Sequence, residues 1–118
     1  RILITKKITK LLQNYQNYSD NCMILTGDFN DDYHPIHILQ EINMIDCFQL
    51  TNLPPPITHP VRPCHCSIEE SRPSRTLDWI TCLVTNNIRV LGAYAKDIRG
   101  GNHPPASDHL PVICFIEI

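Results

Sequence analysis

The 118-residue chain has no long apolar run, and it does not begin with methionine. No stretch approaches the roughly 20 consecutive apolar residues that a membrane-spanning helix needs, so the sequence predicts no transmembrane segment. No signal peptide is visible either. Because the chain starts at Arg1, we expect it to be a piece of a longer protein, and the sequence leaves its localisation open.

An excess of basic charge is also missing. Ten Lys and Arg residues against 12 Asp and Glu residues give a net charge of -2, which is not the basic footprint of a duplex-binding module. A small basic rim can still lie within a neutral total, so a nucleic-acid substrate stays open. With 42% apolar and 19% charged residues, the composition is that of a globular domain that buries a core.

Disulfide bonds are not the favoured interpretation of the six cysteines. Four of them lie in apolar or strand-like surroundings: Cys22, Cys47, Cys82 and Cys114. Free buried cysteine behaves as a small apolar residue, so these four are expected to pack in the core.

The spacing of the apolar residues predicts one α/β domain with a long proline-rich loop in its middle. The first strand is expected to be buried on both faces, and the second helix to end near Asn43 in a left-handed cap. The second and third strands are expected to pair with each other across a short turn. The predicted elements are a helix over 4–15, a strand over 22–26, a helix over 35–43, a loop over 51–75, and strands over 76–84, 88–95 and 111–118.

Three polar strings lie beside strand-prone apolar runs. They are Gly-Asp-Phe-Asn at 27–30, Thr-Leu-Asp-Trp-Ile at 76–80 and Ser-Asp-His-Leu-Pro at 107–111. Their three Asp, one Asn and one His suit metal-assisted attack on a phosphate ester. Asp78 interrupts an apolar run, where a half-buried carboxylate is costly unless it is paired. His109 is its natural partner, because a carboxylate that orients an imidazole is a recurring catalytic device.

Because it contains these three strings in this order, the chain resembles the C-terminal part of the endonuclease/exonuclease/phosphatase superfamily. That superfamily includes abasic-site endonucleases, pancreatic-type deoxyribonucleases, inositol-polyphosphate phosphatases and neutral sphingomyelinases. Residues 27–30 are similar to its Gly-Asp-x-Asn signature, 77–80 to its Asp-Tyr/Trp-Ile strand and 107–112 to its Ser-Asp-His-x-Pro-Val end. Residues 58–60 are similar to its Thr-aromatic-Pro element, with His59 where an aromatic residue is usual.

The resemblance implies an α/β fold for residues 1–118: the C-terminal part of a layered α/β sandwich with a mainly antiparallel sheet. It implies that the intact protein is a phosphodiester or phosphomonoester hydrolase that depends on Mg²⁺ or Mn²⁺. The substrate class stays open between nucleic acid, phosphoinositide and a phospholipid head group.

Roles for five residues also follow from the resemblance. Asp28 would orient the attacking water or accept its proton, and Asn30 would hold that water or a phosphate oxygen. His109, held by Asp78, would donate to the charge that grows on the phosphoryl oxygens. Asp108 would face the Mg²⁺ or Mn²⁺ ion, which prefers hard oxygen ligands. The pairing with Asp78 is expected to raise the pKa of His109.

Two further residues are candidates for substrate binding. Thr58 belongs to the Thr-aromatic-Pro element. Arg99 lies in a loop beside the strings, as do Arg72, Arg75 and His103. These cations could contact substrate phosphates, for which the arginine fork is well suited, or they could be solvated loop charges.

The groups that the superfamily takes from its N-terminal half are absent from this chain. These are an Asn, a metal-binding Glu in a Gln-Glu motif, and a Tyr or His on the phosphate. The local Gln40-Glu41 pair lies in a helical pattern and indicates an ordinary amphipathic surface. The chain alone is therefore expected to be inactive, with apolar faces exposed.

Two other functions stay open. The first is a truncated, catalytically incompetent remnant or a binding module of the same fold. The second is a small zinc module built on Cys64 and Cys66, although a Cys-x-Cys spacing matches structural zinc sites poorly.

Overall fold

A computed structural model describes residues 2–16, 22–62, 71–84, 87–97 and 106–118, which form three helices and five strands. The helices are α1 (Ile2–Gln16), α2 (His34–Gln40) and α3 (Cys47–Leu50). The strands are β1 (Ile24–Asp28), β2 (Met44–Asp46), β3 (Asp78–Leu83), β4 (Arg89–Ala95) and β5 (Val112–Glu117). Every strand pair in this part of the chain is antiparallel, so the predicted α/β class with antiparallel sheets is confirmed.

Strand β3 is the centre of a three-stranded sheet with the order β1-β3-β2. Its sequence includes aromatic and β-branched residues that favour strands, and Trp79, Thr81 and Cys82 are all buried. β1 lies at one edge, and most of its residues are exposed, so the expectation of a strand buried on both faces is wrong.

Strands β4 and β5 form a separate two-stranded sheet, which corrects the predicted hairpin between 76–84 and 88–95. Both edges of β3 are already occupied by β1 and β2, so β4 has no free edge there to join. The pairing of β4 with β5 shifts register between Val90 and Gly92. A short turn signal identifies neighbouring strands well, but it does not reveal competition for an edge.

A shared apolar cluster joins the two sheets. Its buried members are Ile36, Cys47, Phe48, Trp79 and Ala93. Each large side chain that is fully buried contributes about 1.5–3 kcal/mol to folding. A second cluster lies between α2, β2 and the end of β3, and it consists of Leu39, Ile42, Met44 and Leu83. These two clusters fix β3, the strand that begins with Asp78.

The second predicted helix, over 35–43, is shorter in the structure. α2 has Pro35 in its first turn, as predicted, but ends at Gln40 and is followed by a turn to Asn43. Asn43 has a φ of 61°, the left-handed conformation expected of it. The chain then forms β2, and the Asp46 carboxylate accepts the Gln49 backbone N–H at 2.9 Å to begin α3. The Asp46 carboxylate thus caps a short additional helix that follows β2 directly.

Helix α1 covers the predicted residues, and much of its apolar side is exposed, as expected for the chain alone. It buries Thr5 and Thr9, whereas Ile4, Leu11 and Tyr15 are each more than half exposed. The apolar stripe is therefore only partly covered by the described residues, through half-buried Ile8 and Leu12. None of the described helices is both long enough and apolar enough to cross a membrane.

The four cysteines expected in the core are free thiols. Cys47 and Cys82 are fully buried, whereas Cys22 and Cys114 are half-buried. Burial is the main cause that raises the pKa of Cys47 to about 12 and that of Cys82 to about 11.

Candidate functional site

The pairing of β1 with β3 places two carboxylates side by side. Asp28, the last residue of β1, is directly opposite Asp78, the first residue of β3. Residues in such register project from the same face of the sheet, with Cβ atoms about 4.5–5.5 Å apart. Like charges at this position destabilise a sheet, so a cation close to the two carboxylates would stabilise the pair.

The imidazole of His109 lies against both carboxylates. Its Nδ1 is 2.7 Å from Oδ2 of Asp78, and its Nε2 is 3.9 Å from Oδ2 of Asp28. The predicted pairing of Asp78 with His109 is therefore confirmed. The His109 side chain is 25% exposed, which leaves part of the ring accessible from solvent.

The surroundings of His109 change its acidity. Partial burial disfavours the charged ring and lowers the pKa, but the hydrogen bond to Asp78 and the charges of Asp78, Asp28 and Asp108 raise it more. The net result is a pKa above the ordinary value of 6.5, as expected from the sequence. The ring is thus biased towards the imidazolium form, which donates from both nitrogens.

Asp108 lies near a second imidazole, that of His59. Its Oδ2 is 3.5 Å from Nε2 of His59, and its side chain is 43% exposed. The Ser107 hydroxyl accepts the backbone N–H of His109 at 3.1 Å, which closes a local turn around Asp108. Both side chains of this short polar string are partly accessible, and Asp108 is the more exposed of the two.

Thr58 is fully buried, which corrects its expected role as a substrate contact. Its hydroxyl accepts the backbone N–H groups of Leu77 at 2.9 Å and Asp78 at 3.2 Å. Its carbonyl accepts the Leu110 N–H at 2.8 Å, and the Val61 N–H donates to the Asp108 carbonyl at 2.9 Å. The segment Thr58 to Val61 therefore ties the start of β3 to the string that carries Asp108 and His109.

Asn30 lies at the rim and fixes Asp28. It has a φ of 53°, and its backbone N–H donates to Oδ1 of Asp28 at 2.8 Å. Asparagine tolerates this left-handed conformation better than most residues. Its side chain lines a cleft of about 240 Å³. Both basic and acidic side chains occur among the residues that line this cleft. The lining residues are Asn30, His59, Arg72, Pro73, Arg75, Leu77, Asp108 and His109.

The expected cations beside the strings are only partly described. Arg75 pairs with Asp32 at 3.3 Å, which occupies part of its guanidinium group. Arg72 lines the cleft. Arg99 and His103 lie outside the described residues, as do Cys64 and Cys66 of the alternative zinc module.

His59 is not among the site residues expected from the sequence. The residue is only 7% exposed, and its ring centroid lies 4.5 Å from that of His109. The signal that could have identified it is the imidazole in the Thr-aromatic-Pro element, within a string already singled out for Thr58.

Asp31 is a second residue that the motifs did not reveal. Its carboxylate accepts the N–H groups of Tyr33 at 2.8 Å and His34 at 3.1 Å, and its carbonyl accepts the Trp79 indole N–H at 3.2 Å. A short acidic side chain just before a helix commonly accepts backbone N–H groups in an Asx turn, and the sequence does contain this signal. Asp31 therefore holds the loop after Asp28 against β3.

Two groups of potential metal ligands occur among the described residues: Asp28, Asp78 and His109, and His59, Asp108 and His109. In each group, one ligand atom per residue lies within 4.8 Å of the others. Comparisons of the chain with protein-family models, with curated proteins and with solved structures found no match. By its chemistry, the arrangement can hold a proton on an imidazole between carboxylates, and it can provide ligands for a cation.

Proposed function

We propose that the intact protein hydrolyses a phosphate ester with the help of a divalent metal ion. The proposed catalytic residues are Asp28, Asn30, Asp78 and His109, and Asp108 is the proposed metal ligand. One observation carries the proposal: an imidazole with a raised pKa lies between two paired carboxylates at the edge of a cleft. The resemblance of the three polar strings to the endonuclease/exonuclease/phosphatase superfamily supports the same chemistry.

His109 is the proposed donor to the reacting phosphoryl group. Its Nδ1 is engaged by Asp78, so Nε2 is the nitrogen that remains to donate a proton or a hydrogen bond. A donor that is already fixed needs little reorganisation as charge develops in the transition state. Asp78 acts by holding the ring and stabilising its positive charge.

Asp28 and Asn30 are proposed to handle the attacking water. Asp28 lies 3.9 Å from His109 and is 37% exposed, so its carboxylate is accessible to a water molecule and can accept a proton. The turn at Asn30 holds one oxygen of that carboxylate and leaves the other towards His109. The Asn30 side-chain amide at the cleft can hold the water or a phosphate oxygen.

The donor set at the cleft fits Mg²⁺ or Mn²⁺. Mg²⁺ is usually bound through one or two carboxylates together with substrate phosphates, and Asp108 offers an exposed carboxylate at this place. When bound, the ion neutralises charge on the phosphoryl oxygens and orients the substrate. Arg72 and Arg75 lie at the same cleft and are suited to phosphate oxygens. The proposed substrate is therefore a phosphate ester of nucleic acid, a phosphoinositide or a phospholipid head group.

The test is activity of the intact protein on these three substrate classes with Mg²⁺ or Mn²⁺. Asp28→Ala and His109→Ala are expected to lower kcat by about 10²–10⁴-fold, the usual contribution of a positioned acid or base. Glu41→Ala is the matched carboxylate control, because Glu41 is exposed in the turn after α2, outside the residues that line the cleft. Activity that persists in both variants, or no activity on any substrate class, would refute the proposal and favour a binding module.

A further inference from the structure

The second ligand group, His59, Asp108 and His109, has a chemistry that differs from that of a magnesium site. Two of its three donors are imidazole nitrogens, and one is a carboxylate oxygen. Mg²⁺ prefers oxygen ligands, whereas imidazole suits Zn²⁺, Co²⁺ and related ions. Two His and one carboxylate with an open position are a known donor set for such ions.

The observed spacing agrees with coordination of a small ion. Ligand atoms about 2.0–2.1 Å from a tetrahedral Zn²⁺ lie roughly 3.4 Å from each other. Nε2 of His59 and Oδ2 of Asp108 are 3.5 Å apart. The ligand atoms of all three residues lie within 4.8 Å of one another, so small side-chain movements bring the other two distances to the same value.

The orientation of His109 also favours a metal. Its Nδ1 is bonded to the Asp78 carboxylate at 2.7 Å, whereas Nε2 has only the more distant Asp28 carboxylate at 3.9 Å and is the nitrogen that a metal ion can take. A carboxylate that holds the second nitrogen of a metal-bound imidazole is a usual outer-shell arrangement.

His59 is held in place by the backbone. Its N–H donates to the Arg75 carbonyl at 3.1 Å, and its carbonyl accepts the Arg75 N–H at 2.8 Å. Because the residue is buried, its ring has little freedom, and the ligand is already placed before an ion binds. The cleft in front of the group leaves room for a water molecule or a substrate oxygen as a further ligand.

From this geometry we propose that His59, Asp108 and His109 form a binding site for a divalent transition-metal ion of the zinc type. The site itself does not depend on the proposed hydrolase function. If that function holds, the ion occupies the nitrogen that would donate to the phosphoryl group, so Zn²⁺ inhibits hydrolysis driven by Mg²⁺. His59 is the residue that distinguishes this site from a magnesium site.

The test is direct metal binding to the intact protein after treatment with EDTA. Co²⁺ is titrated while the visible absorption of the bound ion is recorded, and Zn²⁺ is then added as competitor. We expect one Co²⁺ per chain at this site, displacement by Zn²⁺, and no displacement by excess Mg²⁺.

Three variants assign the ligands. His59→Gln and Asp108→Asn each are expected to weaken Co²⁺ binding by more than the about 10–100-fold that loss of an outer-shell partner costs. Asp78→Asn is expected to weaken it within that range. His37→Gln is the matched control, since His37 is an exposed imidazole on α2 outside both ligand groups. The Co²⁺ affinity of this variant should equal that of the wild type.

Three results would overturn the site. Unchanged affinity in His59→Gln and Asp108→Asn is the first, and equal displacement by Mg²⁺ is the second. The third is a thiolate-to-cobalt charge-transfer band that disappears in a Cys64→Ser, Cys66→Ser variant. If circular dichroism shows that His59→Gln does not fold, the Co²⁺ affinity of Asp108→Asn alone tests the site, because Asp108 is half-exposed and its replacement should not prevent folding. Because metal binding is read without substrate, its outcome is separate from that of the hydrolase assay.

Discussion

At the scale of single residues, the site combines two carboxylates that repel each other with an imidazole that offsets the repulsion. Asp28 and Asp78 are opposed in an antiparallel pair, where two negative charges repel. His109 contacts both of them, and the charge of a third carboxylate, Asp108, which immediately precedes His109 in the chain, also acts on the ring. The sheet therefore binds a positive imidazole more tightly than a neutral one, whatever substrate the protein takes.

The pKa of His109 in the metal-free protein is expected to exceed 6.5. The stabilisation it provides is fully present below its ordinary pKa of 6.5 and is lost as the pH rises through the higher pKa of the folded state. The ring titration is measured by NMR in EDTA, and the free energy of unfolding is measured in urea across the same pH range. Asp78→Asn should lower the pKa of His109 and reduce this pH dependence. A wild-type pKa at or below 6.5 would contradict the expectation.

The thiols of Cys47 and Cys82 are expected to resist alkylation in the folded protein. Burial, the largest cause, raises the pKa of Cys47 to about 12 and that of Cys82 to about 11, so the reactive thiolate is scarce near neutral pH. Iodoacetamide labelling mapped by mass spectrometry, with and without urea, measures this. Modification of either residue at the same rate in both conditions would show that the core around them is open.

At the scale of elements, two short segments position the site. The segment from Thr58 to Val61 connects β3 to the string with Asp108 and His109 through backbone bonds and the buried Thr58 hydroxyl. The loop with Asp31 holds β1 and α2 against Trp79. Neither segment is a regular strand, yet both decide where the catalytic candidates lie.

Thr58→Val is expected to destabilise the protein by about 1–3 kcal/mol for each backbone N–H that it leaves unpaired. The affected donors are those of Leu77 and Asp78, and valine keeps the shape but removes the acceptor. Urea unfolding measures the change. Thr58→Ser keeps the hydroxyl and should be less destabilising than Thr58→Val. An equal loss in both variants would show that the methyl group, not the hydrogen bonds, matters here.

Asp31→Ala is expected to destabilise the protein by about 0.5–1.5 kcal/mol for each hydrogen bond lost, since it removes the acceptor of the Tyr33 and His34 N–H groups. Burial of Asp31 opposes its ionisation, but the N–H groups of Tyr33 and His34 and the His34 imidazole outweigh this effect and lower its pKa below 3.8. The stabilisation from ionised Asp31 is thus present above pH 3.8 and is lost as the pH falls through the lower pKa of the folded state. Urea unfolding of the wild type and of Asp31→Ala at neutral and acidic pH measures this stabilisation. If the two free energies of unfolding differ by the same amount at both pH values, the role of ionised Asp31 is contradicted.

At the scale of the whole molecule, a large apolar surface is uncovered in the described part of the chain. The exposed stripe of α1 and the edge strand β1 border an apolar pocket of about 420 Å³. Ile4, Ile8, Leu25, Phe29 and Leu39 are among the apolar residues that line it. Exposed apolar surface of this kind favours association.

The 118-residue chain is therefore expected to self-associate in solution as its concentration rises. Leu11→Lys should reduce the association without lowering stability, because Leu11 is more than half exposed. Light scattering after size exclusion measures the mass. Val84→Lys is the matched control, since Val84 is a half-exposed apolar residue outside α1 and the pocket. A monomer at all concentrations, or equal effects of both variants, would contradict this role for α1.

Local chemistry explains why much of the structure could be predicted from sequence. The helical period of α1, Pro35 at the start of α2, the left-handed Asn43 and the strand-prone run of β3 depend on neighbouring residues only. The pairing of Asp78 with His109 could be predicted as well, because a carboxylate inside an apolar strand requires a partner.

The remaining features depend on contacts between distant residues. The pairing of β4 with β5, the burial of Thr58 and the approach of His59 to Asp108 were not evident from the strings. The first two result from competition for partners: a strand has only two edges, and a buried hydroxyl turns towards unpaired N–H groups. The sequence alone thus established the polar strings and their residue types. Tertiary packing decided which of those side chains meet, because it alone brings together residues that are distant along the chain.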